Sequence, residues 1–468
     1  MCALPADVLL DRVTSIVPRE HVLAKFADRL CYSYDSTNIE HMPDVVVRPG
    51  SAGEISEVLK LANATGTPVF PRGAGTGLSG GSVPITGGIV MDLTRMNRIL
   101  DIDTANLLAV VEPGVVTLDL FNKAASLGLL YPPDPGSNTV STIGGNVAEN
   151  AGGLRGLKYG VTKDYIMALE IVSPEGGIWR SGSKTVKCVT GYDLTKLMVG
   201  SEGTLGVFTS ITCKLVPMPE HSVAMLAVFD DIDLAAATVA AIIRAGILPS
   251  TLEFLDRVTC NVIEDFKPCG LPRDAEAVLL LEADGVLEAA TKQAKKMTDI
   301  ASLEGAREVI VAKNEEEKAR VWSGRRAALG ALARVRPTTI LEDATVPRSE
   351  IPAMVRAVRE IASKYNLMIG TFGHAGDGNL HPTILTDERD REEMHRVEAA
   401  IDELFKTALA LGGTLSGEHG IGLAKAPFLH MEMGEVGLAT MRRIKQALDP
   451  KNILNPGKMA LELGGDPR

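Results

Sequence analysis

The run PRGAGTGLSGG, from Pro71 to Gly81, limits what this chain can fold into more than any other stretch. Gly75, Gly77 and Gly80 satisfy the spacing G-x-G-x-x-G, and Pro68 to Phe70 reads as a buried strand just before them. In a doubly wound dinucleotide fold the last glycine opens a helix whose N-terminus faces a pyrophosphate. Here the chain continues GSVPITGG, and Pro84, Gly87 and Gly88 forbid such a helix. The Rossmann reading therefore fails on context. What survives is the loop itself. Seven of its eleven residues are Gly, Ser or Thr, so it offers backbone N–H groups with few side chains in the way, plus the hydroxyls of Thr76 and Ser79. Such a concavity suits a pyrophosphate better than it suits a bare surface turn.

Two further glycine-rich stretches follow, DPGSNTVSTIGGN from Asp134 to Asn146 and GSEGTLGV from Gly200 to Val207. Either alone could be a tight turn. Together with the first they offer the several contact points that a dinucleotide as long as FAD requires. The whole run from Tyr131 to Gly153 lacks periodicity and reads as a long ordered loop, which is uncommon without a function.

Around these loops the pattern mixes helices and strands. Asp44 to Arg48 reads as a strand. Ser51 to Glu54 reads as a capping box opening a helix on Ile55, Val58, Leu59 and Ala62 that Gly66 stops. Strands are expected at Ile89 to Leu93, Leu107 to Glu112 and Val207 to Leu215, with a helix from Leu118 to Leu127. Pro217 and Pro219 suggest a domain boundary. Beyond it, strands at Val223 to Phe229, Ala277 to Leu281 and Arg307 to Val311 alternate with helices at Leu234 to Ala245 and Leu287 to Leu303, as in a sheet covered by helices.

A chain of 468 residues exceeds one ordinary core and should divide into two or three domains. Its net charge of −11 has the wrong sign for general nucleic-acid binding or adhesion to anionic lipid. The six cysteines, at 2, 31, 188, 213, 260 and 269, form no CxxC pair, which argues against a cysteine-held cluster, a zinc ribbon or a disulfide framework. No stretch has the length of an apolar membrane span, and the N-terminus lacks a signal-peptide pattern. A cytoplasmic protein is expected, reaching a membrane through a partner if at all.

Of eight histidines, His374 and His381 bracket one short segment, HAGDGNLH, between apparent strands Leu367 to Phe372 and Leu380 to Leu385. The sharp turn between them can bring both imidazoles to one side, as two ligands of a metal site. Asp377 with Gly378 is a turn pair and is expected to shape the loop. Farther on, SGEHGIG sets Glu418 beside His419. Two histidines and a carboxylate leave coordination positions open for substrate, with His419 as a base. Each histidine taken singly reads as a satisfied core residue; together with Glu418 and His419 they read as a site. His21, His41, His221, His395 and His430 read as surface residues.

These motifs, with GYDLTKLMVGSEGTLGV, VWSGRRAAL and LDPKNILNPGKM, resemble in order those of the FAD-linked oxidase family of the vanillyl-alcohol-oxidase or p-cresol-methylhydroxylase (PCMH) type. The resemblance runs from about Pro43 to Lys458. It is strongest to the branch holding the FAD-linked subunit of glycolate oxidase and D-lactate dehydrogenase. It implies an α+β fold: a two-subdomain PCMH-type FAD-binding domain over 1–216, a ferredoxin-like cap domain for substrate over 217–410, and a C-terminal helical segment over 411–468 that returns to the flavin.

For cofactor binding the first loop contributes Pro71, Arg72, Gly73, Ala74, Gly75, Thr76, Gly77, Leu78, Ser79 and Gly80. The second contributes Pro135, Gly136, Ser137, Thr142, Gly144, Gly145 and Asn146, followed by Gly152 and Gly153. Glu202, Gly206 and Val207 come from the third stretch, and Asn455 from the C-terminal one. The first loop holds neither His nor Cys, so FAD is expected to be non-covalent. By the same resemblance His374, His381 and Glu418 match ligands of one divalent ion (Zn, Mn or Fe), His419 the base, and Arg325 the arginine that grips substrate carboxylate, a task suited to a bidentate guanidinium.

Where relatives acting on a dicarboxylate carry further polar groups, Leu329 and Leu341 stand here, which favours D-lactate or glycolate. The expected reaction is oxidation to the 2-oxo acid by hydride transfer to flavin with metal-assisted deprotonation. Electrons would pass to an iron–sulfur subunit, an electron-transferring flavoprotein or a quinone, in a homodimer or a hetero-oligomer. Two rivals stay open: a flavin-binding electron-transfer or assembly subunit without substrate chemistry, and a metal-free enzyme of the same fold acting on an alcohol, amine or sugar lactone.

Overall fold

The computed structural model describes residues 4–37 and 39–461. Cys2 and the outermost ends of the expected first and last domains lie outside the described residues. The chain divides into two compact units. One takes the chain up to Gly152, then Val161–Met218, then everything from Glu418 on; the other takes Gly153–Gly160 and Pro219–Gly417.

The first unit is built on two larger sheets, besides a two-stranded pairing of Leu129–Leu130 with Val216–Pro217. One runs in the order Val22–Leu23, Val45–Val47, Ile89–Asp92, Val69–Arg72, the last three parallel. The parallel crossover is the helix Ala52–Thr65, opened by Ser51, whose Oγ accepts from the Glu54 N–H at 3.2 Å, and closed by Gly66 at φ +68°. Glu54 reaches back to the Gly50 N–H at 2.7 Å. The helix buries Ile55, Val58, Leu59 and Ala62, each large aliphatic contributing roughly 1.5–3 kcal/mol. Because helices cover parallel strands, Val45, Val46 and Val47 are all buried rather than alternating. The second sheet is antiparallel, in the order Ile99–Asp103, Leu108–Val111, Val207–Lys214, Ile166–Val172, Ile178–Gly182.

One expectation needs correction. The stretch read as continuous loop from Tyr131 to Gly153 contains a helix, Ile143–Glu149. Thr142 caps it, accepting from the Gly145 N–H, and Asn150 ends it at φ +57°. The Gly144–Gly145 pair lowers helix propensity and hid it. Gly144 is required by packing, since a Cβ there would lie 2.6 Å from Pro113 Cβ and 2.9 Å from its carbonyl oxygen.

The second unit is one antiparallel sheet with helices on both faces. Its strands run in the order Glu308–Val311, His221–Phe229, Ala277–Gly285, Thr251–Asp256, Met368–His374, Asn379–Thr386, Thr338–Leu341, and Ala344–Thr345 pairs with Asn379–Thr386 outside that path. The first four have the strand order of a ferredoxin-like sheet, with crossover helices Ile232–Arg244 and Leu287–Leu303. Met225, Ala227 and Phe229 face those helices together with Ile351–Tyr365 and Arg391–Ala410. Leu226 and Val228, one step out of phase, face Arg257–Phe266 and Glu315–Leu332. The strand Thr251–Asp256 and the helix Arg257–Phe266 were not anticipated from sequence. Among the described residues no helix is long and apolar enough to cross a membrane.

Candidate active site

In the first unit the loop after strand Val69–Arg72 wraps over its own arginine. Arg72 is 7% exposed and donates through Nη1 to the Tyr34 carbonyl at 2.7 Å and to Ser82 Oγ at 3.1 Å. Gly75 passes directly above it at φ +73°, where a Cβ would strike the guanidinium. Among the described residues, no acceptor takes the backbone N–H of any residue from Gly73 to Ser79. A row of unclaimed donors over a buried cation has the chemistry to cradle an anion. Ala74, Thr76, Gly77 and Leu78 are partly exposed and Pro71 half-buried, whereas Ser79 and Gly80 are buried.

The second loop meets the first: a Cβ on Gly73 would lie 2.3 Å from Thr142 Oγ1. Pro135 is buried, Gly136 is exposed with open space beside it, and the Ser137 carbonyl accepts from the Val140 and Ser141 N–H groups. Gly145 lies in the first turn after Thr142. Asn146 is turned to Thr117, donating to its Oγ1 at 2.7 Å. Gly206 is pressed between Ile171 and Met198 as Val207 enters its strand.

Glu202 and Asn455 hold loops to one another. The Glu202 carboxylate accepts from the Ile421 and Gly422 N–H groups, both at 2.7 Å, and Asn455 Nδ2 donates to the carbonyls of Gly81 and Glu202 at 2.8 and 2.6 Å. Burial pushes the Glu202 carboxyl up, against those two N–H groups. Burial also pushes Glu149 well up, with the nearby Glu202 and Asp35 charges adding to it. Glu418 is half-buried with Gly152 packed on it, and His419 is buried.

The second unit brings Arg325, His374 and His381 together. Strands Met368–His374 and Asn379–Thr386 form a hairpin in which Phe372 pairs with His381 and His374 with Asn379. Cross-strand partners and residues two apart share a face, so both histidines point the same way. Their ring centroids lie 5.2 Å apart, edge to face, and His381 lies 5.3 Å from the Phe372 ring. Arg325, from helix Glu315–Leu332, covers that face with its guanidinium 4.7 Å from the Phe372 centroid. Asp377 shapes the turn, taking the Asn379 N–H at 3.3 Å. Gly153 begins the short segment that this unit takes from the earlier chain. His41, His221, His395 and His430 are exposed and His21 is half-buried.

Two carboxylates escaped the sequence reading. Glu253, fully buried on Thr251–Asp256, lies 2.7 Å from His374 Nδ1 through Oε1 and accepts from Arg325 Nε through Oε2 at 2.6 Å. Burial pushes its carboxyl up, but His374 and Arg325 outweigh this and hold it below the usual value. Asp343, also fully buried, accepts from Ser416 Oγ at 2.7 Å and the Gly417 N–H at 2.8 Å, and its other oxygen lies 3.8 Å from His381 Nδ1. For Glu253 the usable signal was an acid inside an apolar strand, TLEFLD, where an unpaired charge would be costly.

Residues 218–459 match the family model for FAD linked oxidases, C-terminal domain, and residues 43–182 that for the FAD binding domain. Glycolate oxidase subunit GlcD of Bacillus subtilis (strain 168) is 54% identical over 434 residues, 92% of each chain. The chain belongs to the FAD-linked oxidase family. D-lactate dehydrogenase of Anaerostipes hadrus is 38% identical to this FAD-linked oxidase over 433 residues, 90% of each. The solved structure of p-cresol methylhydroxylase with substrate bound superposes with a TM-score of 0.81 at 18% identity, covering 98% of each chain, and so shares the fold. The mixed α and β architecture is that of the PCMH type, and the unclaimed donors over Arg72 have the chemistry that the FAD pyrophosphate needs.

Proposed function

We infer that this FAD-linked oxidase oxidises a small 2-hydroxy acid, D-lactate or glycolate, to the 2-oxo acid. The observation that carries the reading is the union of Arg325, His374 and His381 on one face of the second sheet. That set has a grip for a carboxylate and two imidazoles of the kind that ligate a divalent ion. The printed names of relatives, glycolate oxidase subunit and D-lactate dehydrogenase, support the same substrate class.

Bound FAD, held without a covalent bond by the loops at Pro71–Gly80 and Pro135–Asn146 with Gly152, Gly153, Glu202, Gly206, Val207 and Asn455, supplies the acceptor for the hydride leaving C2. One divalent ion (zinc, manganese or iron) on His374, His381 and Glu418 supplies charge that acidifies the 2-hydroxyl. Arg325 holds the substrate carboxylate, and His419 takes the hydroxyl proton. Leu329 and Leu341 offer no second polar grip, which favours a monocarboxylate. The reduced protein hands electrons to a partner, an iron–sulfur subunit, an electron-transferring flavoprotein or a quinone, in a hetero-oligomer that works in the cytoplasm or at a membrane through that partner.

Anaerobic addition of D-lactate or glycolate to the FAD-loaded protein tests this. The flavin should bleach with one of the acids. A chelator should abolish bleaching, and so should His419→Asn at unchanged FAD content. No bleaching with either acid would point to an electron-transfer subunit instead. Bleaching indifferent to the chelator would remove the metal.

A further inference from the structure

The buried carboxylate of Glu253 has two oxygens and serves two different masters with them. Oε1 lies 2.7 Å from Nδ1 of His374, and Oε2 takes the Nε–H of Arg325 at 2.6 Å. Nothing about this position is incidental. Phe254 pairs with Gly373 and Leu255 with Phe372, so Glu253 falls opposite His374 in the next step of the same ladder. Its side chain is fully buried, and those of Arg325 and His374 are 9% and 8% exposed. An ionised carboxylate only accepts hydrogen bonds, so Nδ1 of His374 must carry the proton and the ring lone pair lies on Nε2. Arginine only donates and stays charged, so its Nε is held in one orientation about the same acid.

We propose that Glu253 is a positioning residue that fixes the tautomer of His374 and the setting of Arg325 together, coupling the metal-ligating imidazole to the guanidinium that grips the substrate carboxylate. The inference rests on the metal reading given above for His374, and on the general rule that the second nitrogen of a ligating histidine is held by a carboxylate or carbonyl.

The chemistry makes Glu253→Gln unusually informative. Arg325 has no acceptor, so the amide oxygen must stay with it. The amide NH2 then faces Nδ1 of His374, which can accept only as the opposite tautomer, with the proton on Nε2. The substitution therefore preserves shape and the Arg325 bond while removing the lone pair from Nε2.

The test uses the full-length FAD-loaded protein labelled with 15N-histidine, the His374 signals being assigned by their loss in His374→Gln. Wild type should show an Nδ1–H His374, and Glu253→Gln an Nε2–H His374 at unchanged FAD content. Affinity for Zn2+ or Mn2+ added alone, read by competition with a chromophoric chelator, should fall about 10–100-fold in Glu253→Gln. An unchanged tautomer with unchanged metal affinity in a variant that retains FAD overturns the proposal. An Nε2–H His374 in wild type overturns it without any variant, which covers the case where Glu253→Gln fails to fold. Wild type that binds neither ion while His374 keeps its Nδ1 proton supports the positioning role and overturns the metal assignment, so the two failures are distinguishable.

Discussion

A lysine with 1% exposure must have its ammonium satisfied by protein alone, and Lys458 donates to the Val83 carbonyl at 2.5 Å with the Phe70 ring centroid 5.3 Å away. Burial lowers its pKa to about 8, against the pull of Asp35 and Glu202. Below pH 8 folded and unfolded chains both hold the proton, and the fold bears the buried charge. Between about 8 and the ordinary value of 10.5 the folded state alone has released it, so this residue's contribution to stability rises with pH. Relative to Lys458→Met, wild type should gain about 2 kcal/mol between about pH 7.5 and about pH 9.5 in denaturant unfolding; a difference that stays flat contradicts this. Arg325 gives a second expectation. Arg325→Lys keeps the charge but loses the planar fork, so KM for the acid should rise roughly 10–100-fold with a smaller change in kcat. Equal KM values would remove Arg325 from the carboxylate.

For the elements, the two glycine loops differ in what holds them. Gly75 needs its φ of +73° and the space above Arg72, so Gly75→Ala should distort the loop and weaken FAD binding at least about tenfold, measured by flavin retained on dialysis. Gly136 has no atom within 4 Å of where a Cβ would stand, so Gly136→Ala should leave the apoprotein's melting temperature unchanged. A matching fall in FAD affinity would mean that the cofactor itself fills that space. The strand and helix flanking the first loop were legible because capping, periodicity and Gly66 agreed. The helix Ile143–Glu149 was not, because Gly144 answers to Pro113, 31 positions upstream by number, rather than to its own turn.

On the scale of the molecule, the first unit is assembled from chain segments far apart in sequence. Lys445 ties them: its Nζ donates to the Thr204 carbonyl at 2.9 Å, the Leu454 carbonyl at 2.7 Å and Asp449 at 2.6 Å, all buried. Lys445→Met should cost roughly 3–5 kcal/mol, because the buried Asp449 charge would lose its cation and keep only the Ile453 and Leu454 N–H groups. The loss should appear as easier denaturant-induced release of FAD together with faster proteolysis near Asn455. An unchanged denaturation midpoint would show that the last segment is held by its apolar contacts instead.

The sequence by itself determined the mixed α and β architecture, the exclusion of a Rossmann loop, and the placing of His374 and His381 on one side of a hairpin, since each follows from local rules about proline, glycine and the two-residue period of a strand. Only the tertiary structure decided that Arg325 would meet those histidines and that Glu253 would bridge Arg325 to His374. Glu253 is 72 residues from Arg325 and 121 from His374. Sheet register and helix packing set such encounters, and no local pattern encodes them. The glycine loop that limited the fold at the outset is likewise only half a site in sequence; the buried Arg72 beneath it gives its free N–H groups a charge to share with an anion.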